Sequence, residues 1–543
     1  PLMASNLGTL EVSQGTKIAD ILIAFESSNQ DLIIIDENTV VTDPHLELLT
    51  DYPRTVTTAL VAKFKGGDTR TAASRITGAS SGYHEVGYGN HNFLGAIRLS
   101  QSQRGEIIET LSGIANTSHV GNAIDLILVA LVRAKVIVAP AEVAGAPWIR
   151  SADKSERDKT IHEIAGLNPA RLRLKLANRA NDGFYSVFFL RKISKLFTWL
   201  AVRLKMTPNQ VTLISFGIGL LSAYGFSRGS FWSIFIGAVL LQLSIIIDCV
   251  DGELARYTRQ FSQLGAWLDA ITDRIKEYLV FFALAYGAAK NGRDLWIPAI
   301  GMMIFQTFRH LSDYNFARIN KFRIPEPEAI SFELKSDGFV SVEREKLSRL
   351  RYWSKKAVQF PIGERWLVIS ASSVIGGPAF TFTVMPILSL ISIALVFRAR
   401  VRKTITWPKL RINKSFIDDQ LDSFKNKNST NRFDWLEPSI LRLVEGLIFV
   451  ELAIISDVDR PALFLLVFAI LFHHYDNMYR ALQGERKPIW LTIAGGYIFG
   501  RLLLTLMWMW LELPIDILVY YFSILFFVVS SAQWILSRNK RGQ

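Results

Sequence analysis

The stretch DCVDGELARYTRQFSQLGAWLDAITD, residues 248–273, carries four aspartates at the ends of two strongly apolar runs, residues 231–247 and 264–287. An ionised aspartate beside hydrocarbon costs several kcal/mol unless something compensates it, so such a residue is a candidate functional site by default. The apolar runs are close to the length that a helix needs to cross a membrane. The stretch therefore predicts membrane helices with a site where they end.

The spacing of the aspartates predicts that they form one site. Residues three or four apart share a face of a helix, which pairs Asp248 with Asp251 and Asp269 with Asp273. Two such faces brought together make an all-oxygen pocket of high negative charge, which suits hard divalent cations such as Mg²⁺. The alternative is that the aspartates cap helix ends or pair with Arg256, Arg259 and Arg274. Four aspartates interleaved with small residues favour the site.

The whole stretch resembles the signature of the CDP-alcohol phosphotransferase family, D-x2-D-G-x2-A-R-x8-G-x3-D-x3-D, with all eight fixed positions present. Upstream, TPNQVT at residues 207–212 is similar to the P-N-x-x-T entry of that family to its first membrane helix. NDGFYS at 181–186 and RKIS at 191–194 resemble the branch in which this domain follows a sugar-nucleotidyltransferase-like domain. The best-known members of that branch make di-inositol phosphate compounds.

This resemblance implies a reaction and a set of roles. An alcohol or polyol-phosphate acceptor, such as inositol phosphate or glycerol phosphate, would displace CMP from a CDP-linked donor such as CDP-diacylglycerol. Two ions of Mg²⁺ or Mn²⁺, about 4 Å apart, would clamp the attacking and leaving oxygens. The implied metal ligands are Asp248, Asp251, Asp269 and Asp273. Asp273, the last carboxylate, is the candidate general base.

Donor and acceptor residues are predicted from the same motifs and from basic helix ends. The predicted CDP-binding residues are Pro208, Asn209, Thr212, Asp248, Gly252, Ala255, Arg256 and Gly265. Gly252 and Ala255 would leave room for the cytidine, and Arg256 would neutralise the donor phosphates. Arg309, His310 and Arg365 are the candidate acceptor site, since they suit an anionic acceptor. Each of these three could equally anchor a lipid headgroup.

The composition favours a membrane partner over nucleic acid. The 543 residues include 61 Lys and Arg against 48 Asp and Glu, a net charge of +13. The basic residues cluster beside apolar runs, as expected for contact with anionic lipid headgroups and for positive-inside topology. The single cysteine, Cys249, permits no internal disulfide.

The first 170 residues predict a soluble α/β domain. Runs 31–36 and 135–139 predict buried strands, and 105–115 and 123–134 predict helices. The domain looks like a Rossmann-like nucleotidyltransferase. Its opening lacks the Gly-rich loop that would cradle nucleotide phosphates, so we expect a degenerate domain with a structural or regulatory role. Residues 171–205 predict a basic amphipathic helix lying along the membrane surface.

The rest of the chain predicts an all-α membrane bundle with ten spanning helices. The predicted spans are about 210–227, 231–251, 265–288, 295–316, 366–380, 382–398, 437–456, 461–479, 488–510 and 515–536. Six belong to a transferase domain at 206–400 and four to a C-terminal domain at 437–543, with a polar linker at 401–436. The final four resemble an uncharacterised domain appended to such transferases in actinobacteria. There, His473 and Asp476 either bond each other and headgroups or mark a second site.

The sequence also predicts a membrane topology and leaves two other functional classes open. Basic links on one side place the N-terminal domain and the aspartates in the cytoplasm, with the bundle in a bacterial plasma membrane. The resemblance also implies a homodimer. A transporter is the main alternative, although it would usually show broken helices at the midplane and two corresponding halves. A membrane scaffold without transferase activity is the third class.

Overall fold

The computed structural model of the chain falls into two compact units. One comprises residues 1–179 together with 256–259, and the other comprises 180–255 together with 260–543. The residues that the structure describes are 8–13, 15–50, 56–72, 75–82, 84–87, 89–116, 122–143, 145–177, 183–322, 353–354, 357–406, 432–455, 459–482, 487–496 and 498–539. Most of the predicted linker 401–436 lies outside the described residues, as do Asn181 and Asp182 of the predicted branch motif.

The first unit is an α/β domain. Its strands are β1 (Gly8–Val12), β2 (Leu32–Asp36), β3 (Thr39–Val40), β4 (Thr58–Lys63), β5 (Thr69–Ala72), β6 (Arg75–Ala79), β7 (His91–Leu99), β8 (Ala139–Val143) and β9 (Ile149–Arg150). Its helices are α1 (Ile18–Ser27), α2 (Asp43–Glu47), α3 (Arg104–Ile114), α4 (Ala123–Arg133), α5 (Lys154–Ala165) and α6 (Pro169–Leu176). The predicted α/β class is confirmed.

The main sheet of this unit is mixed. Its strand order is β1-β2-β7-β4-β8, with the β5–β6 hairpin attached to β7, while β3 and β9 form a separate pair. The β1–β2 and β4–β8 pairs are parallel, and β7 runs antiparallel to both β2 and β4. A mixed sheet fits the α/β class, and the Rossmann-like nucleotidyltransferase identity stays a prediction.

Three of the four elements predicted in this unit are confirmed, and the strand at 135–139 is wrong. Strand β8 begins only at Ala139, which pairs with Thr58 of β4. Lys135 has a φ of 64°, a left-handed conformation that ends α4 and is incompatible with an extended run. Val136 and Val138 are nevertheless buried. Their apolar side chains therefore indicate packing in the core and not pairing in a β-sheet.

The second unit is largely helical. It begins with a π-helical turn at Ser186–Leu190, followed by α7 (Arg191–Arg203), α8 (Pro208–Ser227), α9 (Phe231–Thr258), α10 (Gln263–Lys290) and α11 (Trp296–Phe322). It continues with α12 (Ile362–Ile405), α13 (Glu437–Ile455), α14 (Arg460–Leu482), α15 (Ile489–Gly495), α16 (Ile498–Trp510), α17 (Ile515–Ser523) and α18 (Ser530–Asn539). The segment predicted as one amphipathic helix thus contains α6 and α7, and its place on a membrane surface stays a prediction.

Six helical segments of the described chain are long and apolar enough to cross a membrane. They are Pro208–Ser227, Phe231–Thr258, Ile362–Ile405, Arg460–Ala481, Ile489–Trp510 and Ile515–Ser537. The predicted spans in α10, α11 and α13 are not among them. In α10 the reason is its charge, because it carries Asp269, Asp273, Arg274, Lys276 and Glu277. This chain is therefore a multi-pass membrane protein, and membrane crossing by α10, α11 and α13 stays a prediction.

Glycines allow α8, α9 and α10 to pack at very short distance. A Cβ on Gly225 of α8 would lie 2.9 Å from the Cα of Gly237 in α9. A Cβ on Gly287 of α10 would lie 2.4 Å from the backbone oxygen of Phe226 in α8. The hydrophobic effect does not drive helices together in lipid. Small residues at such crossings instead let the backbones approach closely, and the resulting van der Waals contacts stabilise the helix pair. The three helices that carry the aspartates and their partners are therefore held close together.

The 44-residue α12 is a hairpin of two antiparallel helices. Gly377 lies at its centre with φ 74° and ψ −174°, a conformation that only glycine adopts readily. Ser372 donates a hydrogen bond to Thr381 across the bend (3.0 Å), and Ser392 reaches back to the backbone oxygen of Val358 (2.6 Å). The sequence predicted the reversal at 379–383, a few residues too late, because Pro378 and not the apolar pattern marks where the second helix begins.

We expect Gly377→Ala to lower the free energy of unfolding by about 1–3 kcal/mol, because alanine is strained at this φ and ψ. Thermal unfolding of the detergent-solubilised protein measures the loss. Gly301→Ala is the matched control, since Gly301 is helical and a Cβ there meets open space. Equal unfolding temperatures for the two variants would show that the bend does not depend on glycine.

Candidate metal and substrate site

Three helices supply the site, and local sequence fixes where two of them begin. Thr207 and Gln210 form a capping box at the start of α8, with Pro208 at the first helical position. Ser262 caps α10 by accepting a hydrogen bond from the backbone N–H of Gly265 (2.9 Å). These caps place Asn209 and Gly265 at neighbouring helix ends.

Three of the four aspartates that the spacing assigned to one site converge. One carboxylate oxygen from each of Asp248, Asp251 and Asp269 lies within 4.8 Å of the other two. Asp251 is buried, and the other two are partly buried. Three converging carboxylates in a largely apolar setting form a hard, all-oxygen donor set. The arrangement fits a divalent cation, as the spacing predicted.

Hydroxyl groups of α8 orient two of the carboxylates. Thr212 donates a hydrogen bond to Asp251 (2.5 Å), and the backbone N–H of Gly252 donates to the other oxygen of Asp251. Ser215 donates to Asp248 (3.1 Å) and also contacts the backbone oxygen of Ser244 (3.0 Å). Ligand carboxylates are commonly held by such outer contacts, which fix the direction of their free lone pairs.

A buried lysine lies between the aspartates of the two helices. The ammonium of Lys276 is 2.5 Å from Asp248 and 3.1 Å from Asp273, and it donates to Ser215 (3.0 Å). Its side chain is wholly buried. Gly219 of α8 makes room for it, because a Cβ at Gly219 would lie 2.8 Å from the stem of Lys276. Asp273 is thus linked to the other carboxylates through Lys276.

The predicted donor-binding residues lie around this group. Asn209 approaches α10 so closely that a Cβ on Gly265 would lie 2.7 Å from its Oδ1, which explains the glycine there. Pro208 precedes Asn209 in the first turn of α8, and Ala255 lies one turn beyond Asp251 in α9. Arg256 groups with the first unit, and its role toward the donor stays a prediction.

Two of the three predicted acceptor residues, His310 and Arg365, belong to one buried cluster with Glu277 and Arg274. Arg365 makes two hydrogen bonds to Glu277 (2.8 and 3.2 Å), and Arg274 makes a third (3.0 Å). Arg274 also lies 3.0 Å from Nδ1 of His310. Arg309 donates to the backbone oxygen of Gln359, and its Nη1 has no hydrogen-bond partner within the described part of the chain. Two guanidinium groups, those of Arg274 and Arg365, share the single carboxylate of Glu277, so this cluster carries an excess of positive charge.

Two families match this chain. Residues 205–326 match the CDP-alcohol phosphatidyltransferase model. These residues form a CDP-alcohol phosphatidyltransferase domain. All four aspartates and Lys276 lie inside it. Residues 378–537 match a family of unknown function (DUF5941), which includes the second half of the α12 hairpin and the helices from α13 onward.

Curated relatives match parts of this chain. A bifunctional IPC transferase and DIPP synthase of Archaeoglobus fulgidus is 33% identical over 147 residues, covering 27% of this chain and 29% of the relative. A protein of the same name from Thermococcus kodakarensis is 40% identical over 115 residues, covering 21% and 25%. A phosphatidylinositol phosphate synthase of Streptomyces avermitilis is 28% identical over 169 residues, covering 30% and 68%. The chain thus spans less than a third of the length of the first two.

Lys276 and Glu277 were missed in the sequence, although a signal was available. Both lie inside the run 264–287, which reads as apolar overall, and a charge in such a run is itself a functional hypothesis. Lys276 also follows Asp273 by three residues, so the two share a helix face. Glu253, buried in α9, accepts hydrogen bonds from Arg191, Ser194 and Thr198 and so ties α7 to the transferase domain.

We expect Lys276→Met to destabilise the metal-free protein by about 3–5 kcal/mol, because it leaves two carboxylates without their buried cation. Millimolar Mg²⁺ should then raise the unfolding temperature of the variant more than that of the wild type, since the ion replaces the missing charge. Lys290→Met is the control, because Lys290 is exposed at the far end of α10. If Mg²⁺ shifted all three proteins equally, Lys276 would have no part in balancing the site.

Proposed function

We propose that this chain is a membrane-bound CDP-alcohol phosphotransferase that releases CMP from a CDP-linked donor. The observation that carries the proposal is the convergence of Asp248, Asp251 and Asp269, three carboxylates of the family signature, on one point. The family match and the synthase names of the relatives support the same reaction class. A transporter or scaffold has no evident need for three carboxylates, a lysine and two hydroxyl groups arranged in this way.

The acceptor attacks the donor at phosphorus. Its hydroxyl oxygen forms a bond to the phosphorus that bears the lipid or alkyl group, and the bond from that phosphorus to the oxygen of CMP breaks. The hydroxyl proton passes to a carboxylate, for which Asp273 is our candidate. CMP leaves with the bridging oxygen, so charge and atoms balance without a further reactant.

The chain's own residues hold the reacting groups. Asp248, Asp251 and Asp269, with Asp273 beside them, would hold two Mg²⁺ or Mn²⁺ ions. When bound, such ions would neutralise the diphosphate and stabilise the departing phosphate oxygen. Pro208, Asn209 and Thr212 would flank the nucleotide. Space for the cytidine and a charge partner for the phosphates would come from Gly252, Ala255, Arg256 and Gly265.

The acceptor is proposed to be an anionic polyol, such as inositol phosphate or glycerol phosphate. His310 and Arg365 belong to the buried, net positive cluster around Glu277 that supports this assignment, and Nη1 of Arg309 is buried without a hydrogen-bond partner among the described residues. Arginine is well suited to phosphate because its donors form a planar fork. CDP-diacylglycerol is the donor that we propose, since a site at the ends of membrane helices gives a lipid direct access.

We infer ten membrane spans with the site on the cytoplasmic side of a bacterial plasma membrane. The α12 hairpin contributes two spans, and α15 with α16 contributes one. The basic links at 256–259, 398–403 and 480–487 then share one side with the aspartates, as the positive-inside rule requires. The N-terminal domain would lie on that side in a structural or regulatory role, and the enzyme would be a homodimer.

Replacing the ligands tests the proposal directly. We expect Asp248→Asn, Asp251→Asn and Asp269→Asn each to abolish CMP release from CDP-diacylglycerol and to weaken Mn²⁺ binding. An amide is a poorer ligand than a carboxylate for a hard cation. Asp516→Asn, at an exposed position in the first turn of α17, should leave both quantities unchanged. Near-wild-type turnover of any of the three ligand variants at saturating Mg²⁺ would contradict the metal assignment.

A second comparison separates the base from the ligands. If Asp273 accepts the proton, Asp273→Asn should lower turnover by about 10²- to 10⁴-fold and change donor affinity little. Asp269→Asn should weaken donor binding as well, because it disturbs a metal that holds the diphosphate. Turnover and calorimetric donor affinity, measured on both variants, decide the point. An equal loss of donor affinity in the two variants would make Asp273 chiefly a ligand.

A further inference from the structure

Helix α14, which lies in the region of unknown function, packs against the site helix α10 through polar contacts. Two consecutive residues of α14, Tyr475 and Asp476, carry these contacts, and both are fully buried. Buried polar contacts between membrane helices are specific, because each partner would otherwise be left unsatisfied in an apolar setting.

Tyr475 contacts the acceptor cluster. Its hydroxyl is 2.8 Å from Nδ1 of His310 and accepts a hydrogen bond from Tyr278 of α10 (3.2 Å). The guanidinium carbon of Arg274 lies 5.7 Å from the centroid of the Tyr475 ring, and Arg274 itself contacts His310. Tyr475 thus touches both basic groups through different parts of one side chain.

Asp476 holds the same helix on the other side of the aspartates. It accepts a hydrogen bond from the indole of Trp267 (3.2 Å), two residues before Asp269. Asp476 is in turn fixed by Arg480 (2.9 Å), Lys487 (3.2 Å) and Ser530 (2.6 Å), all from the C-terminal helices. A carboxylate with this many partners is a rigid anchor. In α10, Trp267 precedes Asp269 and Arg274 follows Asp273. Helix α14 therefore contacts α10 both before and after its two carboxylates.

We propose that the C-terminal region of unknown function completes the acceptor side of the site, with Tyr475 as a positioning residue for Arg274 and His310. The ligand that these two groups would bind is the phosphate of an anionic acceptor, so the inference rests on the proposed function. Arg274 supports it independently, because its Nε is buried and has no hydrogen-bond partner among the described residues. Arg274 also directly follows Asp273, the candidate base, in α10.

The test uses the full chain and removes one hydroxyl. Tyr475→Phe keeps the ring against Arg274 but deletes the hydrogen bonds of the hydroxyl to His310 and Tyr278, so the apolar packing of α14 is preserved. Tyr521→Phe is the matched control. Its hydroxyl also makes one hydrogen bond within the C-terminal helices, to the backbone oxygen of Ala494 (2.7 Å). Initial rates of CMP release are measured with CDP-diacylglycerol and inositol 1-phosphate, varying each substrate in turn.

We expect Tyr475→Phe to raise KM for inositol 1-phosphate about tenfold, the effect of losing one hydrogen bond to a group that binds an ion. KM for CDP-diacylglycerol should stay within about twofold, and Tyr521→Phe should change neither constant beyond that range. A purely structural role would instead raise both constants together or lower kcat alone. Either of those results, or an acceptor KM equal to that of Tyr521→Phe, would overturn the inference while CMP release by the wild type upheld the proposed function.

A wild type that releases no CMP would refute the proposed function, and direct binding would then decide the inference. Inositol 1-phosphate is titrated calorimetrically into Mg²⁺-loaded wild type and both variants. Weaker binding only in Tyr475→Phe would uphold the role of Tyr475 at an anion site. Equal binding in all three proteins, or no binding to the wild type, would overturn it.

Discussion

Mutual repulsion of carboxylates is the constraint around which the transferase domain is built. Three aspartates converge within 4.8 Å inside a helical bundle, where unscreened like charges repel strongly. Lys276 opposes that repulsion by reaching Asp248 on one helix and Asp273 on its own. A buried ammonium is itself costly unless it is fully paired. The lysine and the aspartates are therefore tolerable only together, and their pairing fixes α10 against α8 and α9.

The close packing of those helices follows from the same requirement. Lys276 can reach Asp248 only because Gly219 leaves space for its stem. Gly225, Gly237 and Gly287 let the three backbones approach near the other ends of the helices, so the bundle closes around the charges. Larger residues at these crossings would separate the helices, and the ammonium would then lose its partners. In this domain, the pairing of Lys276 with the carboxylates thus depends on the close packing of the helices.

Much of this organisation could be predicted from the sequence, because the aspartates carry it in a short and regular pattern. Helical spacing alone placed Asp248 with Asp251, and an apolar setting marked them as a site. The α/β class of the first unit followed from alternating strand and helix signals. The reversal in α12 was predicted too late, since hydropathy is continuous across Gly377 and only its φ reveals the bend. The predicted strand at 135–139 was wrong because a buried segment without strand pairing has the same apolar pattern as a buried strand.

The residues that contact the site from other helices could not be predicted from the sequence, for a different reason. Lys276 shares a helix face with Asp273, but nothing local shows that Lys276 also reaches Asp248 of α9 or that Glu277 faces Arg365. Likewise, Tyr475 lies about 200 positions beyond Arg274 in the chain, and no periodicity links them. Such pairings are set by which helices are neighbours, which is a property of the fold.

The polar face of α10 also explains why a transferase domain would need further helices. Beyond its site residues, α10 buries the indole N–H of Trp267 and the hydroxyl of Tyr278, and lipid could satisfy neither. Asp476 of α14 satisfies the indole, and the hydroxyl of Tyr278 is shared between Thr307 of α11 and Tyr475 of α14. A helix that must present two carboxylates and a lysine at one face gains rigidity when its opposite face is fixed by hydrogen bonds and not only by lipid. By this reasoning the C-terminal helices are part of the structure that holds Asp269 and Asp273 in place.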